Sequence, residues 1–410
     1  DNRVRKLDYS IQLNLTMYER LLSGGDITLF SPHDVPGLYE AYFGDAGEFK
    51  ELYEKYERAT SIKKSKVSAM DLFSALIKER AETGRIYIMN VDHCNTHSSF
   101  KDKVYMSNLC QEITLPTKPL NHIDDEEGEI ALCILSAINV GTIKGLDDLE
   151  ELCELAVRAL EEIIDYQNYP IKAAEKSTKA RRSLGVGYIG LAHYLAKHKV
   201  KYDDQEAWNL VHDLSEAFQY YLLKASNKLA QERGPCEYFH RTKYSDGIMP
   251  IDTYKKDVDT IVEHKLNYDW NSLRASIKEH GLRHSTLSAQ MPSESSSVVS
   301  NATNGIEPPR GYLSVKKSKK GPLKQIVPQY NTLKNHYTLL WDMPNNTGYI
   351  NVVAVMQKFF DQGISGNWSY NPTQFPDNEV PMSVMMQDLL TTYKMGWKTS
   401  YYQNTYDYKV

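Results

Sequence analysis

The chain has 410 residues, of which 41% are hydrophobic and 25% charged, with a formal net charge of -5. That balance is ordinary for a globular protein and carries no basic footprint for nucleic acid; no apolar run approaches the roughly 18 residues of a membrane span. Five cysteines and no signal peptide fit a reducing cytoplasm, and the length fits two or three ordinary domains or one large interrupted domain.

Residues 8–24 and 46–83 read as helical, the second closing at Thr83-Gly84, where glycine suits a helix C-terminus. Ile86, Tyr87, Ile88 and Met89 then read as a strand. This divides the chain into a mainly helical lead-in, 1–83, and a larger body, 84–410. Ser107-Asn108-Leu109-Cys110-Gln111-Glu112 follows. On an extended segment Asn108, Cys110 and Glu112 share one face while Leu109 and Gln111 point away, so an amide, a thiol and a carboxylate converge. A cysteine in such a triplet is also explained as a small buried hydrophobe. The acidic run Asp124-Asp125-Glu126-Glu127 reads as a solvated loop. The apolar run from Glu129 to Asn139 predicts a largely buried strand carrying Cys133, 23 positions after Cys110. A thiol on a strand beside a thiol on a loop makes a dithiol reductant.

Helices are predicted at about 145–168, 171–198 and 204–233. Asp147, Asp148, Glu150 and Glu151 crowd the first turns of one, where the dipole favours negative charge, and Gly234-Pro235 terminates another. Cys153 shares an apolar stripe with Leu149, Ala156, Leu160 and Ile164, as a core cysteine does. Cys94 and Cys236 have no metal-ligand spacing, because no CxxC or HExxH pattern occurs, and no metal site is expected. Gly185-Val186-Gly187-Tyr188-Ile189-Gly190 spells GxGxxG, but the pattern before it is helical, so its glycines are assigned to close packing of helix against barrel. Leu287 to Met291 reads as a strand, and Ser293-Glu294-Ser295-Ser296 suits a helix start whose free amides can hold phosphate; a plain N-cap needs only one such serine. Lys316-Lys317-Ser318-Lys319-Lys320 reads as another solvated loop. Tyr401-Tyr402, in a chain with 29 tyrosines, reads as strand packing. Adjacent strand residues face opposite ways, so stacking of this pair with Cys110 requires a local backbone distortion. Strands alternating with long helices imply an α/β class with parallel pairing.

The stretches Asp26 to Pro32, Gly84 to Ile88, Val91 to His97, Ser107 to Glu112, Leu115 to Leu120, Met291 to Ser296, Ser300 to Gly311 and Lys398 to Thr405 together resemble the C-terminal portion of the large, catalytic subunit of aerobic class I ribonucleoside-diphosphate reductases. The resemblance implies the second half of a ten-stranded α/β barrel, with a central finger loop around 105–115, peripheral helices and a C-terminal radical-relay strand. It implies reduction of ribonucleoside diphosphates to their 2′-deoxy forms. Cys110 then matches the cysteine that becomes a thiyl radical and takes the C3′ hydrogen. Glu112 matches the acceptor of the 3′-hydroxyl proton, and Asn108 the amide that hydrogen-bonds the substrate and shares in that proton-acceptor role. Cys133 matches one of the two reducing thiols, the other lying upstream of these residues. Glu294, Ser295 and Ser296 match the diphosphate-binding loop, although the family often has Thr where Ser295 stands, and Tyr401 and Tyr402 match the radical relay. The implied partners are the N-terminal half of the subunit and a small subunit whose di-iron/tyrosyl centre supplies the radical. No cofactor is expected in this chain itself, and an external dithiol such as thioredoxin or glutaredoxin re-reduces it. Starting at Asp1-Asn2-Arg3, with no cysteine after Cys236, the chain is read as a fragment or as one half of a split, phage-type subunit. Two other readings stand beside this one. A non-catalytic scaffold would only bind the small subunit, and a glycyl-radical enzyme of the same barrel type would carry a C-terminal glycine motif where this chain has a tyrosine-rich segment.

Overall fold

The computed structural model describes Val4, residues 7–318 and residues 321–407. The side chains of the basic run 316–320 lie outside the described residues, as do Asp1 to Arg3 and Tyr408 to Val410. The described strands are β1 (Ser10–Leu13), β2 (Asp26–Phe30), β3 (Lys64–Ser68), β4 (Tyr87–Asn90), β5 (Ile134–Asn139), β6 (Leu184–Ile189), β7 (Leu313–Ser318), β8 (Gly321–Ile326), β9 (Trp368–Tyr370), β10 (Thr399–Ser400) and β11 (Gln403–Thr405).

Hydrogen-bonded neighbours form a continuous series around the site. β5 runs parallel to β6, with Ile134 opposite Leu184. Val186 of β6 bridges Ser288, and Gln290 bridges Ile364, both in parallel. The Tyr401 amide then donates to the Gly366 carbonyl at 2.8 Å. β10 pairs with β4 antiparallel, and β4 pairs with β1 in parallel. Parallel pairs need long crossovers; between β5 and β6 these are the helices Asp148–Tyr166 and Lys172–Arg181. The fold is therefore mixed α/β, as expected. β5 pairs only with β6 among the described strands, so its other edge is open.

Helices fill the outside of this series and supply most of the core. Helix Thr347–Phe359 is buried at every position after Thr347, which marks an element enclosed on all sides. Helices Asp148–Tyr166 and Gln205–Arg233 pack against each other through Leu149, Cys153, Val157, Leu214 and Phe218; each large side chain so buried stabilises by roughly 1.5–3 kcal/mol. No helix among the described residues is long and apolar enough to cross a membrane.

Several predicted boundaries shift. The helix expected over 8–24 is β1 followed by the helix Leu15–Leu22, because the Asn14 side chain accepts from the Met17 amide and starts the helix there. The span 46–83 is two helices, Ala46–Arg58 and Ala69–Thr83, with β3 between them. Asp45 and Ser68 cap their N-termini, and the charged Lys64-Ser65-Lys66 hides the intervening strand from a polarity pattern. Residues 171–198 split at Arg182, whose left-handed conformation ends the helix Lys172–Arg181 and lets β6 begin. The strand expected from Glu129 starts only at Ile134, so Cys133 sits immediately before β5.

Candidate active site

From Ser98 to Cys133 the chain contains no described helix or strand. A long irregular segment is held by side-chain and long-range contacts or not at all. Here the hold is specific. The Asn108 amide donates to the Ile113 carbonyl at 3.2 Å and the Gln111 amide to the Asn108 carbonyl at 3.1 Å, while Asn108 Oδ1 accepts from the Ile113 amide at 3.0 Å. Gln111 has φ +71. The segment is thus a tight turn, not the extended strand expected, and Cys110 and Glu112 converge because the backbone folds back.

The turn rests on Gln362-Gly363-Ile364-Ser365. The Gly363 amide donates to the Glu112 carbonyl at 2.8 Å, and a Cβ at Gly363 would stand 2.7 Å from the Gln111 carbonyl oxygen; only glycine fits that approach. Ser365 Oγ lies 2.5 Å from the Cys110 carbonyl oxygen and 3.2 Å from Glu112 Oε2, so its single proton ties the turn to one or the other. Gln362 accepts from the Thr114 amide through Oε1 at 3.2 Å and donates through Nε2 to Cys133 Sγ at 3.4 Å. One short segment therefore registers both thiols and the carboxylate.

Glu112 is 3% exposed. Burial pushes its carboxyl above the usual range, opposed by hydrogen bonds from Asn108 and Ser365. Cys110 is half-buried, and its thiol is pushed up by burial, with the Glu112 charge adding and the Tyr401 hydrogen bond opposing. Burial pushes Cys133 up to about 12, again with Glu112 adding and Gln362 opposing. Both sulfurs accordingly keep their protons at neutral pH. That suits hydrogen-atom exchange and not thiolate attack. The three other cysteines are buried, as a core role requires.

The tyrosine pair sits where β10 has ended and β11 has not begun. This break lets the two rings approach on one side, 4.0 Å apart between centroids, though tilted by 42° and not stacked. The Tyr401 hydroxyl donates to Cys110 Sγ at 3.4 Å. Tyr402 is 40% exposed and Tyr401 5%, so the pair runs from surface to interior and meets the half-buried Cys110. Tyr87 of β4 joins them, 4.8 Å from the Tyr401 ring and 5.7 Å from the Tyr402 ring.

Glu294, Ser295 and Ser296 open the six-residue helix Glu294–Val299 and are exposed. Ser293 Oγ turns back to the Met291 carbonyl at 3.0 Å and does not cap that helix. The helix follows the segment that pairs with the thiol-bearing turn's support, since the Gln290 amide donates to the Gly363 carbonyl at 3.1 Å.

Two of the GxGxxG glycines, Gly185 and Gly187, lie inside β6, where strand contacts account for them, and Gly190 follows it with φ +79 at the start of the helix Leu191–Lys197. A Cβ at Gly185 would meet Leu135 Cδ2 at 2.6 Å and Cys133 Sγ at 2.9 Å, and one at Gly187 the Ala289 carbonyl oxygen at 2.7 Å. The close approach is strand to strand, not helix to barrel. Sequence reasoning missed Gln362, Ser365 and Tyr87. The alternation of glycine with polar residues in Gln362-Gly363-Ile364-Ser365-Gly366 was the available signal for the first two. His212, Asp213 and Glu216 bring possible ligand atoms within 4.8 Å of one another, but Glu216 already accepts from the Asn267 and Tyr268 amides and Trp270 Nε1, and His212 Nε2 meets Lys358.

The family model described as "Ribonucleotide reductase, barrel domain" matches residues 1–403. Among curated proteins, the chain is 61% identical over 410 residues to the ribonucleoside-diphosphate reductase subunit alpha of Haemophilus influenzae, covering 99% of this chain and 54% of that protein. It is 61% identical over 409 residues to ribonucleoside-diphosphate reductase 1 subunit alpha of Escherichia coli and 45% identical over 415 residues to the subunit alpha of Enterobacteria phage T4, with 99% and 54% coverage in both cases. The chain spans about half the length of the curated relatives it matches.

Proposed function

This chain belongs to the ribonucleotide reductase barrel-domain family, and from that premise we propose that it carries the radical centre of a ribonucleoside-diphosphate reductase. The Tyr401 hydroxyl at 3.4 Å from Cys110 Sγ, beside a buried carboxylate and a second thiol, carries the reading. An oxidising equivalent from a radical-generating small subunit reaches Tyr402 and then Tyr401. The Tyr401 phenoxyl takes the hydrogen atom of the Cys110 thiol, leaving a thiyl. The Cys110 thiyl takes the hydrogen atom from C3′ of the ribose, while Glu112 accepts the 3′-hydroxyl proton and Asn108 hydrogen-bonds the substrate. The 2′-hydroxyl leaves as water; Cys133 and a second thiol become a disulfide, supplying two electrons and two protons. Cys110 then returns its hydrogen atom to C3′ and is a thiyl again. The net change is one ribonucleoside diphosphate and two thiols to one deoxyribonucleoside diphosphate, water and a disulfide.

Glu294, Ser295 and Ser296 hold the diphosphate in this reading, supported by their place at the end of the segment that pairs with Gly363. The N-terminal half supplies the partner thiol of Cys133, which the 54% coverage of relatives supports, and an external dithiol such as thioredoxin or glutaredoxin re-reduces the disulfide. The chain by itself, even with the small subunit, is expected to form no product.

In the reconstituted enzyme, Cys110→Ser abolishes turnover and substrate-dependent radical loss, because a serine O–H is too strong to yield the radical. Cys133→Ser instead permits initiation, and the stranded intermediate loses its radical and releases base. Radical decay and free base measured from a substrate diphosphate distinguish the two, and identical behaviour would remove the separate roles.

A further inference from the structure

Arg80, near the end of helix Ala69–Thr83, is 0% exposed. A buried guanidinium ordinarily has a carboxylate partner, because desolvating an unpaired charge is costly. Among the described residues none pairs with Arg80. Its acceptors are three backbone carbonyls: Nη1 donates to Ile86 at 2.8 Å and to Tyr401 at 2.7 Å, and Nη2 to Tyr402 at 3.2 Å. Its Cζ lies 4.5 Å from the centre of the Trp368 ring, a favourable site for a desolvated cation, and Nε has no partner. Burial pushes its pKa down to about 9, which leaves it charged at neutral pH.

These three carbonyls are not a random set. Two belong to the paired tyrosines, whose rings touch, and the third belongs to the residue immediately before Tyr87, whose ring contacts both. Ile86 has φ +62, a conformation rarely adopted by a β-branched residue and kept only where surroundings enforce it. Gly84, two residues earlier, accepts from the Gln403 amide at 2.9 Å, so the segments 84–87 and 401–403 are fastened at two points. The tyrosine backbones are also bonded to Gly366, Asn367 and Trp368, but of the two fastenings to 84–87 only the one through Arg80 reaches Tyr401 and Tyr402.

We propose that Arg80 is a positioning residue for radical transfer: one guanidinium holds the backbone at Ile86, Tyr401 and Tyr402, keeping the three rings in contact and the Tyr401 hydroxyl aimed at Cys110. The inference rests on the relay reading above. It differs from plain structural glue in what it affects, because hydrogen-atom transfer depends steeply on donor–acceptor geometry while substrate binding at a distance does not.

The test uses the reconstituted enzyme carrying Arg80→Lys or Arg80→Gln, with Tyr401→Phe as control. Melting curves, KM for a ribonucleoside diphosphate and kcat are measured. With 3-aminotyrosine placed at position 401, the rate of radical appearance there is followed by electron paramagnetic resonance. The expected result is cooperative melting, KM within about twofold of the parent, and kcat and the radical-appearance rate both lowered by roughly ten- to a hundredfold. Lysine keeps the charge but not the fork, so it is expected to recover only part of the loss. Parent-like kcat and radical appearance in folded variants overturn the proposal, and so does loss of cooperative melting in both variants, which would make Arg80 structural glue. Turnover by Tyr401→Phe removes the relay reading itself; loss there with parent-like Arg80 variants removes only Arg80's role.

Discussion

In the reaction proposed above Glu112 faces two requirements that oppose each other: it is buried near both thiols, whose pKa values its charge raises, and it has to be charged to accept a proton. Burial raises its carboxyl pKa, so in the folded chain it binds its proton more tightly than in the unfolded chain. Its contribution to stability is consequently most favourable below the ordinary carboxylate range and declines as pH rises through the raised value. Glu112→Gln removes this titration. The variant is expected to melt higher than the parent at about pH 7 and to lose that advantage towards about pH 4, near the ordinary glutamate pKa, while turnover in the reconstituted enzyme disappears. Thermal melts at the two pH values check it; an equal shift at both would mean that charge burial is not the cause. The cluster itself was legible in Ser107 to Glu112, since an amide, a thiol and a carboxylate so close together already point to chemistry. The conformation that joins them was not. It depends on Gly363 and Ser365, far along the chain, and on Gln111 adopting φ +71, which no short-range periodicity encodes.

At the scale of elements, long amphipathic helices such as Asp148–Tyr166 were legible because a period of 3.6 recurs over several turns. β3 and β6 were not. β3 is dominated by lysine and serine, and β6 is buried at every position with two glycines, so neither shows apolar alternation. The interruption between β10 and β11 was legible as a requirement, because two adjacent tyrosines cannot bring their rings to one side on a regular strand. Its consequence is a clean separation of packing from chemistry. Tyr401→Phe keeps the ring and loses one hydrogen bond to Cys110 Sγ, costing about 0.5–1.5 kcal/mol, and Tyr402→Phe, at an exposed ring, costs less. Both variants are expected to fold and bind substrate in the reconstituted enzyme while product falls below detection, since phenylalanine is far harder to oxidise. Thermal stability, substrate binding and product formation measured together decide the matter; substantial product from either variant makes that tyrosine a packing residue.

For the molecule as a whole, the open edge of β5 is the consequential feature. A parallel strand is normally covered on both faces, yet among the described strands β5 pairs with β6 alone and presents Leu135 at 42% exposure; Leu132, three residues earlier, is exposed too, as are Met106 and Leu109 on the thiol-bearing segment. Beside Asn108 opens a cavity of about 620 Å³ lined by Tyr105, Met106, Ile113, Leu115 and Ile130. An apolar surface next to reactive groups is an interface or an aggregation hazard. Under the reading proposed above, the N-terminal half, for which the chain's 54% share of its relatives' length leaves room, is expected to cover this edge and to bring the second thiol to Cys133. Leu135→Lys tests this without disturbing the core, because an exposed substitution changes the chain's own stability by only about 0.5 kcal/mol, whereas a lysine ammonium trapped beneath a covering strand is strongly unfavourable. The variant is expected to melt like the parent when alone, to bind the N-terminal half weakly in sedimentation, and to give little deoxynucleotide after mixing with that half and the small subunit. Binding and product at parent levels would show that the complementary half approaches from another side.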